Sequence, residues 1–307
     1  MENDNDKHLY AYLVRSQIVI TSLQSTKRPI QSNNLVNVVA LDTIVLVGTA
    51  EMASNFSLSE TVIERGPPSA VLYDLADDDH VTITLPVGST WSSGLHWHEK
   101  HVEYLHIVKG SARVVLGNQV LTISAGDETD EVRVDRNTWH EWRRADTDNG
   151  GELVIVERTD PEDGQKAVFF WNLNGVIVKA QHLACPPYMS KLLHDMLLHV
   201  WVTLSLFTIF SALDNIPVFI NVPAAFSKRG FGFADRTLGD ILLRSTDRLV
   251  SHLVLFAVSL VAWGLGIRSV RREHTPDSVW GRWTNTTKSK PEAARYDTGR
   301  RLMWKSS

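Results

Sequence analysis

G-L-H-W-H-E-K-H-V-E-Y-L-H-I-V-K-G, residues 94–110, is the stretch on which the reading of this chain turns. His96 and His98 stand one residue apart, and Glu103 follows after four intervening residues. Side chains of an extended strand alternate between its faces, so both histidines share one face and Trp97 takes the other. A short turn after His98 lets Glu103 approach from the next strand. A second run, W-H-E-W at 139–142, supplies His140 from a more distant strand. Three imidazoles and one carboxylate can hold a single divalent ion, and this mixed set suits Fe, Mn, Ni, Co, Cu or Zn. His101 and His106 lie in the same stretch, so one histidine alone carries little weight. The joint spacing carries it.

The surrounding sequence predicts short strands. Leu41–Val47, Ala70–Tyr73, Val81–Leu85, Val102–Val108, Ala112–Leu116, Val120–Ile123, Val132–Val134, Gly151–Val156 and Ala167–Trp171 are rich in β-branched and aromatic residues. Gly110, Gly117-Asn118 and Asp163-Gly164 punctuate them as turns. Many short strands with such turns indicate an antiparallel sandwich or barrel. Residues 1–40 show no long period and read as an N-terminal arm. The barrel is expected over 41–185, a helical region over 186–275 and a polar tail over 276–307.

The character changes after Cys185-Pro-Pro. Met196–Ala212 and Leu249–Ile267 are apolar runs, 17 and 19 residues long, without Asp, Glu, Lys or Arg. About 20 apolar residues can cross a bilayer as a helix. The second run is long enough and the first marginal. Helices that cover the barrel, or each other as in a homodimer, are the soluble alternative. Basic residues lie both between the runs and beyond them, so charge sets no orientation. Trp280, Trp283 and Trp304 read as interfacial anchors or as ordinary packing.

The formal charge of −4 over 307 residues does not suggest a nucleic-acid binder. The single cysteine, Cys185, excludes an internal disulfide and any multi-cysteine metal site. Tyr10–Ile20 is apolar, but Arg15 interrupts it and no cleavage site follows, so no secretory signal is read there. An intracellular protein is expected, with membrane association left open.

The two histidine runs resemble the paired motifs of the cupin superfamily. The first motif has the shape G-(x)5-H-x-H-(x)3–4-E-(x)6-G, and His96, His98, Glu103 and Gly110 keep its spacing. Thr90 occupies the leading glycine position, with Gly88 two residues earlier. In the second, D-R-N-T-W-H places Asp135 at the usual proline, Asn137 at a turn glycine and His140 at the histidine. Arg144 stands at the terminal asparagine. Gly126 supplies the leading glycine if Glu128–Glu131 is an insertion. Asn tolerates the left-handed conformation, so Asn137 is a workable substitute. The resemblance covers roughly residues 65–160. It implies a mainly β, cupin-type barrel or jelly roll, with His96, His98, Glu103 and His140 as metal ligands. The whole chain also resembles fungal secondary-metabolite cupin proteins with apolar C-terminal helices and an R-R-E-x-T-P-like stretch, here Arg271–Pro276.

Trp91, Trp97, Tyr104, Trp139 and Trp142 flank the ligand positions. Most are expected in packing layers, with Trp139 or Trp142 the candidates for a substrate wall. Glu99 and Glu141 each follow a histidine and could orient its ring. The leading functional reading is a metal-dependent oxidoreductase, an oxygenase included, acting on a small apolar or aromatic organic metabolite. Iron leads among the ions, with Mn, Ni, Cu and Zn open. A metal-dependent isomerase or cyclase, and a non-catalytic binding or assembly module, are the alternatives. No acid/base residue is singled out.

Overall fold

The computed structural model describes residues 57–145, 151–221 and 236–287, with side chains described from 242 in the last of these spans. The expected strand Leu41–Val47, the N-terminal arm and Trp304 lie outside the described residues. The strands are β1 (Val62–Arg65), β2 (Val71–Asp74), β3 (His80–Leu85), β4 (His96–Trp97), β5 (Val102–Lys109), β6 (Ser111–Leu116), β7 (Gln119–Ser124), β8 (Glu131–Val134), β9 (His140–Arg144) and β10 (Leu153–Asp160). Helices α1 (Gln165–Gln181) and α2 (Lys191–Ala212) follow, then a two-residue strand β11 (Ile216–Pro217) and helices α3 (Arg236–Gly264) and α4 (Asp277–Thr287). The strands form two antiparallel sheets, β1-β2-β3-β10-β5-β8 and β11-β4-β9-β6-β7.

Period-two burial explains the sheets. Val81, Ile83 and Leu85 of β3 are buried, as are Leu153, Ile155 and Glu157 of β10, while intervening residues are less so. The inward rows, with Leu105, Ile107, Val114 and Trp142, fill the space between the sheets. Turns fall where the backbone needs left-handed residues. Gly110 (φ 79°) links β5 to β6, and a side chain there would strike the Glu152 carbonyl. Asn137 takes φ 62°, as a glycine substitute should, and its N–H donates to the His98 carbonyl at 2.6 Å. Gly88 (φ 82°) and Gly94 (φ 70°), rather than Thr90, have the left-handed backbone before β4.

Ala167–Trp171, expected as a strand, lies inside α1. The reason is burial. α1 is enclosed on most sides, with Val168, Phe170, Trp171, Asn172 and Val176 all buried, so its apolar residues show no helical period. Such a run cannot be told from a buried strand by pattern alone. Asp163 accepts the Gln165 N–H at 3.0 Å and so satisfies one of the free donors at the helix start.

The polar-tail reading of 276–307 also fails over α4. That helix buries Val279 and Trp283 in the main core, and Arg282 pairs with Asp79 of the barrel. Trp280 and Trp283 are therefore packing residues. The basic stretch ahead of α4 is a clasp. Arg271 N–H donates to the Asn172 side chain at 2.7 Å, Asn172 donates to Thr275 at 3.0 Å, and the Arg271 guanidinium covers Trp201.

Both long helices are apolar and long enough to cross a membrane by length and composition. The second half of α2, however, buries Val202, Leu206, Ile209 and Phe210 in the barrel core. α3 packs on α2, and its buried residues include Asp247, Ser251, Leu255 and Ala262. It ends in a left-handed Gly266, with Ile267 N–H on the Ala262 carbonyl and Gly266 N–H on that of Trp263.

Candidate metal centre

The four expected ligand residues come from both sheets. His96 lies on β4 and pairs directly with His140, the first residue of β9. His98 follows β4. Glu103 lies on β5 of the other sheet, between Val134 and Thr159. All four side chains turn inward and are buried, and their donor atoms lie within 4.8 Å of one another. The ring centroids of His96 stand 4.1 Å from those of His140 and 5.0 Å from those of His98.

The backbone fixes how these rings present themselves. His96 Nδ1 meets the Gly94 carbonyl at 2.7 Å, and His140 Nδ1 meets that of Thr138 at 3.1 Å. His98 Nδ1 lies on the Asp214 carbonyl in a short contact. A carbonyl can only accept, so each Nδ1 carries a proton, which in a neutral ring leaves the Nε2 lone pair for a ligand. His98 Nε2, His140 Nε2 and Glu103 Oε2 are buried with no hydrogen-bond partner. Buried polar atoms without partners are costly. Here they face one another, with His140 Nε2 and Glu103 Oε2 only 2.8 Å apart. A cation among them removes the conflict, so the residues fit a divalent transition ion. The oriented carbonyls are the partners that commonly fix a ligating histidine.

Electrostatics favour the ligating forms. Burial, then the neighbouring His140 and His98, holds the His96 imidazole well below its ordinary range, so it stays neutral. Burial alone would raise the Glu103 carboxyl. The Lys166 ammonium, followed by His98 and His140, outweighs it and holds Glu103 well below the ordinary carboxylate range.

Lys166, at the start of α1, was not foreseen. Its Nζ contacts Glu103 Oε1 and sits 3.0 Å from Glu157 Oε2, and Trp142 Nε1 donates to Glu157 Oε1 at 2.7 Å. Burial would lower the lysine, but Glu103 and Glu157 hold it above its usual value. Glu157, one residue past the expected strand Gly151–Val156, takes an inward position of β10. Lys166 carried one signal, a lone charge ahead of an apolar run.

The orienting role expected for Glu99 and Glu141 does not hold. Glu99 pairs with His252 at 2.9 Å, and Glu141 accepts from Ser92 at 2.7 Å. Both point away from the cage, because alternation sends residues next to an inward histidine outward. Trp97 and Trp139 stack on that outer face with Ile216, Val218 and Leu255. Trp91 and Trp142 pack together in the main core, their rings 4.9 Å apart. Tyr104 lies under the Arg158 guanidinium, 3.9 Å from its ring.

Residues 81–157 match the family model described as the cupin domain. Among solved structures the chain is similar to a predicted oxalate decarboxylase from Thermotoga maritima, at 21% identity over 34% of this chain and 97% of that one, with a TM-score of 0.26. It is similar to KdgF from Halomonas sp. at 19% identity, covering 34% and 94% of the two chains, with a TM-score of 0.26. Pac13, a nucleoside dehydratase of Streptomyces, is 12% identical over 36% and 83%, with a TM-score of 0.24. No curated protein matches the chain. With the two-sheet fold and the three-histidine, one-glutamate cluster between the sheets, residues 81–157 are a metal-binding domain of the cupin superfamily, of the single-barrel type.

Proposed function

We propose that this protein is a metal-dependent oxidoreductase acting on a small apolar or aromatic metabolite, with one divalent ion held by His96, His98, Glu103 and His140. The observation that carries the proposal is the convergence of buried, partnerless Nε2 and carboxylate atoms whose rings are already oriented by backbone carbonyls. A bound ion would supply Lewis acidity and, if it is iron, a redox couple, while four protein donors leave room for exogenous ligands. The chain's own part is to keep His96 neutral and Glu103 ionised and to bury all four side chains. The setting in fungal secondary metabolism rests on resemblance alone, since Arg271–Pro276 clasps α1 rather than lining the cage.

Metal-loaded wild type and His140→Ala, given candidate metabolite extracts with and without dioxygen, test the reading. A product that needs both His140 and dioxygen supports it. A product that needs His140 but forms equally without oxygen moves the assignment to an isomerase or cyclase. Equal conversion by both proteins rejects metal-centred catalysis of that reaction.

The same protein is proposed to work at a lipid surface. Leu249, Leu253, Phe256, Leu260 and Trp263 form an exposed stripe on α3, and Leu192, Met196, Leu197 and Val200 are exposed on α2. No Asp, Glu, Lys or Arg falls within the α3 stripe from Leu249 to Trp263, and Trp263, 82% exposed, stands near Arg268 as at an interface. Flotation with phosphatidylcholine–phosphatidylserine vesicles tests it. Wild type should float and Leu253→Glu/Leu260→Glu should not; failure of wild type to float ends the membrane reading.

A further inference from the structure

The cage is not closed by the stretch that carries its ligands. Asp214 lies far along the chain, just past α2, at φ 52°. Its carboxylate accepts backbone N–H bonds from Glu99 at 2.9 Å, Lys100 at 2.8 Å and His101 at 3.1 Å. It also meets His101 Nδ1 at 2.7 Å, and the same residue's carbonyl holds His98 Nδ1. One buried residue thus gathers the whole loop that separates His98 from Glu103 and fixes the His98 tautomer. The next residues continue the work. Ile216 and Pro217 form β11, paired with Trp97 and His96, and Val218 N–H donates to the Leu95 carbonyl at 3.0 Å. β4 is therefore flanked by His140 of β9 on one side and by the connection after α2 on the other. Arg248 of α3 reaches the Asn137 carbonyl at 3.0 Å, next to the turn that sets His140.

We infer that Asp214 is a positioning residue of the metal centre, so that the segment between the two long helices forms part of the ligand cage. Three backbone donors and an imidazole converge on one carboxylate that touches no proposed donor atom. A residue needed only for packing has no reason to bind three consecutive loop residues and a ligand ring together. Partners of this kind change metal affinity about 10–100-fold when lost. A further consequence is reciprocity. If seating of residues 213–218 favours the ion, the ion favours that seating by the same factor. The inference rests on the ligand reading above, and the test separates the two.

Full-length wild type, Asp214→Asn and Val279→Ala are compared by Mn2+ titration and by the visible spectrum of the Co2+ form. Val279 is buried in α4, away from the cage, and serves as the control for general destabilisation. Asp214→Asn should weaken Mn2+ binding at least tenfold and shift the Co2+ bands, while Val279→Ala leaves both unchanged. Hydrogen exchange on wild type supplies a second readout that needs no folded variant. Mn2+ should slow exchange at 213–218 more than in α4. Absence of metal binding by wild type defeats the ligand reading. Wild-type binding matched by Asp214→Asn, or an equal loss in Val279→Ala, or no selective protection of 213–218, overturns the Asp214 inference alone.

Discussion

Lys166→Met is the most informative single change in the cage. It keeps the length and apolar stem of the side chain and removes only the charge. In the wild type the ammonium sits on Glu103 Oε1 and 3.0 Å from Glu157 Oε2, with all three groups shielded from solvent. At an effective dielectric of about 20, a unit pair at that separation attracts by roughly 5 kcal/mol before desolvation is counted. The net value is smaller, but removing one member of a buried pair leaves an uncompensated charge and costs about 3–5 kcal/mol. Here two carboxylates are left facing one another. Against a typical domain stability of about 5–15 kcal/mol, that loss is large.

The metal state then decides how much of the loss survives. A divalent ion at the cage supplies a new cation beside Glu103, so Mn2+ should recover more stability in Lys166→Met than it adds to wild type. The assay is urea denaturation of both proteins, each with chelator and with saturating Mn2+, and of Lys166→Met/Glu157→Gln. The double variant removes the surplus charge and should regain most of the apo loss. Should chelated Lys166→Met lie within about 1 kcal/mol of wild type, the lysine is not compensating the carboxylates and the electrostatic account of Glu103 is wrong.

Glu103→Gln should lower Mn2+ affinity at least tenfold, since even outer partners of a metal site cost that much; unchanged stoichiometry and affinity in a titration would remove Glu103 from the ligand set. Gly110→Ala should cost on the order of 3 kcal/mol, combining a left-handed backbone with a Cβ pressed on the Glu152 carbonyl; a thermal midpoint equal to wild type would refute this. His274 predicts a pH dependence. Burial, then Arg271, lowers its imidazole from 6.5 to about 4, so the unfolded chain binds the proton more readily. Its contribution is complete above about pH 6.5 and declines as pH falls towards 4, by at most roughly 3 kcal/mol. Urea denaturation at pH 7.5 and 4.5 should show a steeper acid loss in wild type than in His274→Gln.

The cage was legible because its signals are local. His96, His98 and Glu103 lie within one turn of chain, strand alternation alone aims the histidines together, and Asn137 announces a left-handed turn by its residue type. The buried helix α1 was not legible, because a segment enclosed on most sides loses the period that distinguishes helix from strand. Lys166 fell with it, since its meaning depends on α1 being a helix whose first turn brings the ammonium to Glu103 of β5 and Glu157 of β10. Glu99 and Glu141 misled for the opposite reason. Their adjacency in sequence to a ligand is what the pleat turns into opposite faces.

Asp214 shows the deeper limit. Nothing in D-N-I-P-V marks an anchor, because the donors that define it are backbone N–H groups of a loop more than a hundred residues away. Backbone donors have no sequence signature, and only the fold brings them to one point. The same fact bears on dissection of the protein. Ending the chain near Cys185 would remove the His98 carbonyl partner, the carboxylate that accepts the Glu99, Lys100 and His101 N–H groups, and the strand beside His96. A barrel so shortened would expose Trp97 and Trp139, whose packing includes Ile216, Val218 and Leu255. Insolubility of that fragment would therefore say nothing about whether the long helices meet lipid. The lipid question has to be put to the full chain, with changes confined to the outward stripe of α3, where Leu253 and Leu260 can be altered without touching the Asp214 clamp.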